Sequence, residues 1–403
     1  MKHVIAFDVS MGKSYMVIYN SAQKCEYEGD ILHTRPSFNW LKDKVEEIIQ
    51  VDGEQPSIVF ESTGVYSRPL ERFFRESSLP YCLLNPLEAK KQCDSLRIHK
   101  TDRSDAHRLA LTHFKENRRV ETPGDDVHQQ LKSLSRLYDE LDKELSMTRN
   151  RLHKVLQLTF PELDTLFSSK SELFLQIVQL FPHPDLVLAH SKTVIKNKII
   201  HRTRKRLSKL QAEQKAIELL EAARNSYPAV HSMDVVCDQV RLYAQRYLDI
   251  NEQKEDCITK MMVFAQELEE YPILLSIPGI GPNTAVRLIA EIGNIHRFTT
   301  HKQLNAYAGI DIRRFQSGKT FYRDKINKRG NKHLRKLLYL IIQNMIKQRR
   351  FGHNHIVNYY DKLKMQPYNK CHKVASIACV NKLLKNIFFL ITHHVTYDFR
   401  LAA

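Results

Sequence analysis

Four acidic residues in the first third of the chain have the types and spacing for metal-assisted phosphodiester chemistry. Asp8 ends the apolar run Val4-Ile-Ala-Phe-Asp8, and Glu61 ends a second run, Ser57-Ile-Val-Phe-Glu61. Asp102 and Asp105 stand in Lys100-Thr-Asp-Arg-Ser-Asp-Ala-His107, where a spacing of three brings both to one face of a helix start. Carboxylates at strand ends on one sheet edge, met by a helix, converge on one pocket. Their hard oxygens suit Mg2+ (or Mn2+), and two such ions about 3.5–4 Å apart activate an attacking oxygen and stabilise the leaving one. Each acid alone has a plainer use: Asp8 as a strand-end acid, Glu61 as a cap for the next helix, Asp102 or Asp105 as an N-cap. Their conjunction in chain order points to a metal-binding tetrad.

A second group of chemistry-bearing residues lies far down the chain. Leu275-Ser-Ile-Pro-Gly-Ile-Gly-Pro-Asn-Thr-Ala-Val-Arg-Leu-Ile-Ala-Glu-Ile-Gly293 is a helix-hairpin-helix signature. In it Gly279 and Gly281 let the backbone turn tightly, so that the amides opening the next helix point at a phosphate oxygen. An ordinary turn between packed helices has the same GxG. About twenty-five residues on comes a lone serine, Ser317 of Gln-Ser-Gly-Lys, set among arginines and lysines. A serine hydroxyl attacks phosphate poorly unless it is deprotonated or held in line beside a cation. Here Gly318 frees the loop, while Arg313, Lys319 and Arg323 can neutralise a phosphate; a serine that merely binds phosphate fits the same residues.

The charge balance agrees with a polyanionic partner. Lys and Arg number 62 against 45 Asp and Glu, a net charge of +17. The cations cluster. From Lys196 to Lys209 there are seven, Arg204, Lys205 and Arg206 among them, with no acid; from Arg313 to Lys336 there are ten, Lys328 and Arg329 among them, with Asp324 the single acid. Two such stripes suggest two stretches of nucleic-acid backbone held by locally unpaired charge, with binding that falls steeply with salt and carries no base sequence information.

The elements that must position these residues read as three regions. The first, 1–122, is α/β: strands at Val4–Asp8, Tyr15–Tyr19 and Tyr27–Leu32 with Gly12 in the first turn, a helix from Phe38 to Val51, a strand to Glu61, a helix from about Ser67 to Glu76, a strand Tyr81–Leu84, and a helix opened by Pro86. That order is the order of an RNase H-like sheet, and a doubly wound fold matches the pattern almost as well. The second region, 123–270, is long and helical. Leu131, Leu134, Leu137, Leu141, Leu145 and Leu152 recur mostly at threes and fours, a second stretch runs from about Met233 to Glu270, and glycine is absent from Asp125 to Ile277. Two long helices joined by a less regular part near Pro161 to Pro184 form a coiled-coil arm or an ordinary bundle, and exposed leucine stripes favour self-association. The third, 271–403, is mostly helical, with helices expected from about Lys332 to Arg349 and from about Lys373 to His393.

Other classes are disfavoured. No apolar run approaches the roughly 20 residues of a bilayer span and the start is not a signal peptide, so the expected location is cytoplasmic, without a membrane. Seven scattered cysteines, never in CxxC, suggest reduced thiols in place of disulfides or a zinc site, and the nineteen histidines lie in no ligand spacing.

Phe-Asp8-Val-Ser, Glu61-Ser-Thr-Gly-Val-Tyr66, Lys-Thr-Asp102-Arg-Ser-Asp105-Ala, Ile-Pro-Gly-Ile-Gly281, Leu-Asn-Ala-Tyr-Ala-Gly309-Ile, Gln-Ser317-Gly-Lys and Asn-Lys-Arg-Gly330-Asn-Lys-His-Leu-Arg335 together resemble the DEDD transposases of the insertion sequence 110 family, across nearly the whole chain and in order. The resemblance implies an RuvC-like (RNase H-like) N-terminal domain, a coiled-coil middle and a C-terminal transposase domain. It also implies recombinase activity on DNA, targeting by a structured guide RNA, the tetrad Asp8, Glu61, Asp102 and Asp105, and Ser317 as nucleophile. One departure is that Asn327-Lys-Arg-Gly stands where the family usually has Ser-Lys-Arg-Gly, which leaves Ser317 as the one serine of the segment. Acids and serine are more than 200 residues apart, so a shared site needs two domains to meet, within a chain or across a homo-oligomer (dimer or tetramer). A junction nuclease of RuvC type using water, and a non-catalytic nucleic-acid-binding protein, are the competing readings.

Overall fold

The computed structural model describes residues 2–84, 101–116, 118, 120, 126–169, 171–202, 207–314, 316–317, 320–321, 324–350 and 352–400. The chain divides into two compact units, Met1–Asp125 and Asp126–Ala403.

The first unit is a five-stranded sheet in the order β3-β2-β1-β4-β5. β1 (Val4–Ser10), β2 (Lys13–Tyr19) and β3 (Cys25–Leu32) form an antiparallel meander; β4 (Ser57–Glu61) and β5 (Tyr81–Leu84) join parallel to β1. A strand buried on both faces should read as a nearly continuous apolar run, and β1 does at Val4, Ile5, Ala6, Phe7 and Val9, interrupted by Asp8 and Ser10. Ile5 and Phe7 enter the core under helices α1 (Arg35–Asp52) and α2 (Arg68–Glu76), with Leu41, Val45, Leu70 and Phe74; Val4 and Ala6 enter the core under α3 (Asp102–His113), with Ala106, Leu109 and Ala110. The helix expected at Pro86 lies outside the described residues.

The second unit begins with α4 (Asp126–Thr159) and continues through α5 (Leu163–Leu166), α6 (Glu172–Leu180), α7 (Pro184–Leu188), α8 (Lys192–Arg202) and α9 (Lys209–Asn225) to α10 (Val235–Ala265). The long helices are as expected, but five helices connect them where an irregular stretch was expected. Side-chain caps mark where these helices begin: the Ser171 hydroxyl accepts from the Phe174 amide, and Ser208 forms a capping box with Gln211. The leucine stripe of α4 is also buried inside the chain. Leu131 shares a core with Met261, Leu141 with Ile250 and Cys257, and Leu156 with Val240 and Ala244, so α4 and α10 run antiparallel against each other. Each buried leucine is worth about 1.5–3 kcal/mol here, and Leu137 alone of the six is more than one-third exposed. The stripe therefore does not argue for self-association.

The rest comprises α11 (Glu270–Leu275), α12 (Pro282–Ile292), α13 (His301–Ala308), four two-residue strands β6 (Ile312–Arg313), β7 (Gln316–Ser317), β8 (Thr320–Phe321) and β9 (Lys325–Ile326), then α14 (Lys332–Lys347), α15 (His355–Lys364) and α16 (His372–Thr392). The short α13 and α15 were not expected. The boundary drawn at 270 falls inside this unit, because α12 packs on both α4 and α10. One expectation is corrected by α16, which is long and apolar enough to cross a membrane, with a mean hydropathy of 1.6. Its Ala375, Cys379, Leu383, Leu384 and Ile387 lie in the unit's core, which accounts for the apolar composition.

Candidate active site

β1 and β4 are parallel neighbours with Phe7 opposite Phe60. Asp8 and Glu61, one residue further along each strand, therefore stand at the same level. Alternation sorts their faces: Val4, Ala6 and Val59 belong to the core under α3, and Asp8 and Glu61 continue that set, both half-buried. α3 runs antiparallel to β1 over this face. The Asp102 charge reaches Lys13 at the β1–β2 turn, where the Lys13 ammonium is raised chiefly by its hydrogen bond to Asp30. At the far end of the helix, His113 feels Lys2, just before β1. The first turn of α3, with Asp102 and Asp105, is thus at the sheet edge where the two strands deliver their acids.

Neither aspartate of α3 caps the helix. The Thr101 hydroxyl accepts from the Ser104 amide at 3.1 Å and the Ser104 hydroxyl accepts from the Thr101 amide at 3.0 Å, a complete capping box. Asp102 is exposed, and Asp105 is partly exposed with Arg108 3.7 Å away. The capping role open to either aspartate in the sequence is filled by its neighbours, and both carboxylates remain available at the helix N-terminus.

Ser317 lies in a β-hairpin where a basic loop was expected. β6 pairs with β9, β7 pairs with β8, and Ser317 is opposite Thr320 across the tip. Gly318, Lys319 and Arg323 lie outside the described residues. At the hairpin root, Gly309 and Gly330 interlock: a Cβ on Gly309 would come within 2.4 Å of the Arg329 carbonyl oxygen, and one on Gly330 within 2.4 Å of the Tyr307 carbonyl oxygen. Both have positive φ, +69° and +128°, so glycine is required twice over at each. Asn331 then caps α14, its Oδ1 accepting from the His333 and Leu334 amides. Its Nδ2 donates to the carboxylate of Glu291 at 2.7 Å. Glu291 is 2% exposed and also receives Arg136 at 2.8 Å and Ser135 at 3.3 Å. A neighbouring buried acid, Asp139, holds Arg287 and His333. This network ties α4, α12 and α14 to the hairpin root, and no local sequence pattern announces it.

Arg313, Lys325, Lys328, Arg329, Lys332 and Lys336 are exposed around this root. The first turn of α14 contains no acid, although a helix N-terminus favours anions. Cations there are misplaced for helix stability and well placed for a polyanion. The other stripe needs correction: its charge is not wholly unpaired, since Lys196 is 3.8 Å from Glu213 and Lys198 is 2.7 Å from His190. Arg204, Lys205 and Arg206 lie outside the described residues.

In the turn between α11 and α12 the two glycines differ. Gly279 has φ +94° and its Cβ would stand 2.7 Å from Met345 Cγ, so packing and backbone both demand glycine. Gly281 has open space at the Cβ position and is the N-cap of α12, without a side-chain cap. Gly281 thus leaves open space beside the amides that begin α12.

Residues 5–161 match a transposase family model, DEDD transposase of IS110, and residues 271–360 match the model of the Transposase IS116/IS110/IS902 family. The chain is 31% identical over 154 residues to the "Transposase for insertion sequence element IS1111A" of Coxiella burnetii, covering 37% of this chain and 40% of that protein. It is 27% identical over 199 residues to the "Pilin gene-inverting protein" of Moraxella bovis, covering 48% and 58%. The match thus spans less than two thirds of either relative's length. Among solved structures it is similar to T. thermophilus RuvC in complex with a Holliday junction substrate, at 10% identity and a TM-score of 0.23, over 30% of this chain and all of that one.

Proposed function

The chain belongs to the IS110 family of DEDD transposases, and on that premise we propose that it cuts and rejoins DNA strands for insertion-sequence mobility. The observation that carries the proposal is the sheet edge where parallel β1 and β4 bring Asp8 and Glu61 to the face crossed by the first turn of α3. Four hard-oxygen donors, two of them released from capping by Thr101 and Ser104, fit Mg2+ or Mn2+ as ligand set. When bound, such an ion supplies Lewis-acid charge at the scissile phosphate.

Ser317 is the nucleophile in this reading. The Ser317 oxygen bonds to phosphorus as its proton passes to water, and the bond from phosphorus to the 3′ or 5′ oxygen of the DNA strand breaks. That oxygen takes up a proton from water and leaves as a hydroxyl, and the strand end is held as a phosphoserine diester until the hydroxyl of the joining strand reverses the step. Arg313, Lys319 and Arg323 neutralise the phosphate, Lys328 and Arg329 hold backbone beside the root, Gly281 with Gly279 presents the α12 amides, and Arg204, Lys205 and Arg206 hold a second stretch. Residues 1–122, 123–270 and 271–403 act as a RuvC-like metal domain, a helical coiled-coil spacer and a helix-hairpin-helix transposase domain. A structured guide RNA supplies target choice, since basic stripes carry no base information. Strand exchange needs at least two cuts, so the working form is a homo-oligomer, located in the cytoplasm.

The test is strand exchange by purified protein with its co-purifying RNA, sequenced and resupplied. Exchange that depends on that RNA, on Mg2+ or Mn2+ and on Asp8 supports the reading. Cleavage of junctions without rejoining, by an enzyme indifferent to Ser317→Ala, replaces it with a water-using nuclease.

A further inference from the structure

We infer that Cys25, Glu28 and His107 form a second metal site, for a thiophilic divalent cation of the Zn2+ class, distinct from the acidic tetrad. Their ligand atoms all lie within 4.8 Å of one another. A tetrahedral ion with bonds of about 2.0–2.3 Å separates its ligands by about 3.3–3.8 Å, so the trio is about 1 Å from closing on one. Sulfur, imidazole and carboxylate with water in the fourth position is a zinc donor set and a poor one for Mg2+.

The backbone is built for this convergence. Strict alternation would put residues 25 and 28 on opposite faces of β3. The ladder instead pairs Val17 with Glu28, Ile18 with Tyr27, and Tyr19 with Cys25, so Glu26 is an extra residue in a bulge. The bulge returns Cys25 to the face of Glu28, the face α3 covers, and re-aiming a side chain is the usual effect of a bulge. Glu26 is turned to Asn20 and His3. His107 comes from α3, with Nε2 2.7 Å from the Glu28 carboxylate.

The surroundings are those of a ligating histidine. To bind through Nε2 the ring must be neutral with its proton on Nδ1, and Nδ1 is 2.7 Å from the hydroxyl of Tyr19, which can accept that proton's hydrogen bond. Arg103 grips the Glu28 carboxylate and fixes its orientation. Uptake of the ion releases the Cys25 thiol proton, and the Nε2 proton where His107 is charged. The bound ion would clip β3 to α3 and so hold the helix that carries Asp102 and Asp105.

The experiment uses the full chain, stripped with chelator and titrated with Co2+. One ion per chain with a thiolate-to-cobalt absorption band, displaced by Zn2+ and unaffected by excess Mg2+, is the expected result. Cys25→Ser should abolish the band, Tyr19→Phe should weaken affinity about tenfold, and Cys371→Ser, which removes an exposed thiol elsewhere, should leave it intact. Asp8→Ala should also keep the band. No band in the wild-type protein, a band that survives Cys25→Ser in a chain with native circular dichroism, or a band lost with Asp8→Ala each overturns the proposal.

Discussion

Arg136→Met removes the cation from Glu291 and leaves a carboxylate that is 2% exposed with, among the described residues, Ser135 and Asn331 as donors. Methionine preserves the apolar stem of the side chain, so the loss is mostly electrostatic. Removing one partner of a buried pair costs about 3–5 kcal/mol because the other charge stays uncompensated. Arg136 is 31% exposed, which screens the pair, and two hydrogen bonds to Glu291 survive; the expected loss is about 2–3 kcal/mol. Urea unfolding of wild type and variant reads this directly. Because Asn331 caps α14 beside Gly330, the variant should also lose strand exchange in conditions where it remains folded. A loss under about 1 kcal/mol would refute the reasoning that Glu291 is a buried charge held by Arg136.

Gly279→Ala meets both positive φ and Met345 and should destabilise by about 2–4 kcal/mol. Gly281→Ala should cost less than about 0.5 kcal/mol yet weaken nucleic-acid binding; equal stabilities for the two variants would remove the distinction. Burial first, then Arg118 and Lys2, holds His113 down to about 4 from the ordinary 6.5. Its contribution is therefore complete above pH 6.5 and lost as pH falls through 4, so the thermal midpoint should drop on acidification and His113→Gln should flatten that drop. Neutralising Arg204, Lys205 and Arg206 together should reduce the salt slope of binding by up to about three, and an unchanged slope would mark the stripe as merely solvated.

The sheet was legible because β1 and β4 each carry an unbroken apolar run, Val4 to Phe7 and Ile58 to Phe60, that leads directly into an acid, Asp8 or Glu61, so the pattern survives in the residues themselves. The face shared by Asp8 and Glu61 follows from alternation alone. Other features depend on contacts made at long range. Leu131, Leu141 and Leu152 read as an exposed stripe, since nothing local says that α10 returns to cover them. Gly279 reads as a phosphate glycine until Met345 is seen against it. The hairpin around Ser317 was hidden by two-residue strands too short to show a period. Cys25, Glu28 and His107 escaped ligand-spacing rules because a bulge, not a repeat, aligns them.

The most direct measurement of the central claim is mass-spectrometric mapping of the covalent protein–DNA adduct formed on nicked substrates, alongside strand exchange by wild type, Ser317→Ala and Asp105→Asn. The account predicts an adduct at Ser317 that requires Mg2+ or Mn2+, is absent from both variants, and disappears together with exchange. An adduct mapped to another residue, or a Ser317→Ala protein reduced only by the roughly 1 kcal/mol of one lost hydrogen bond, would contradict it.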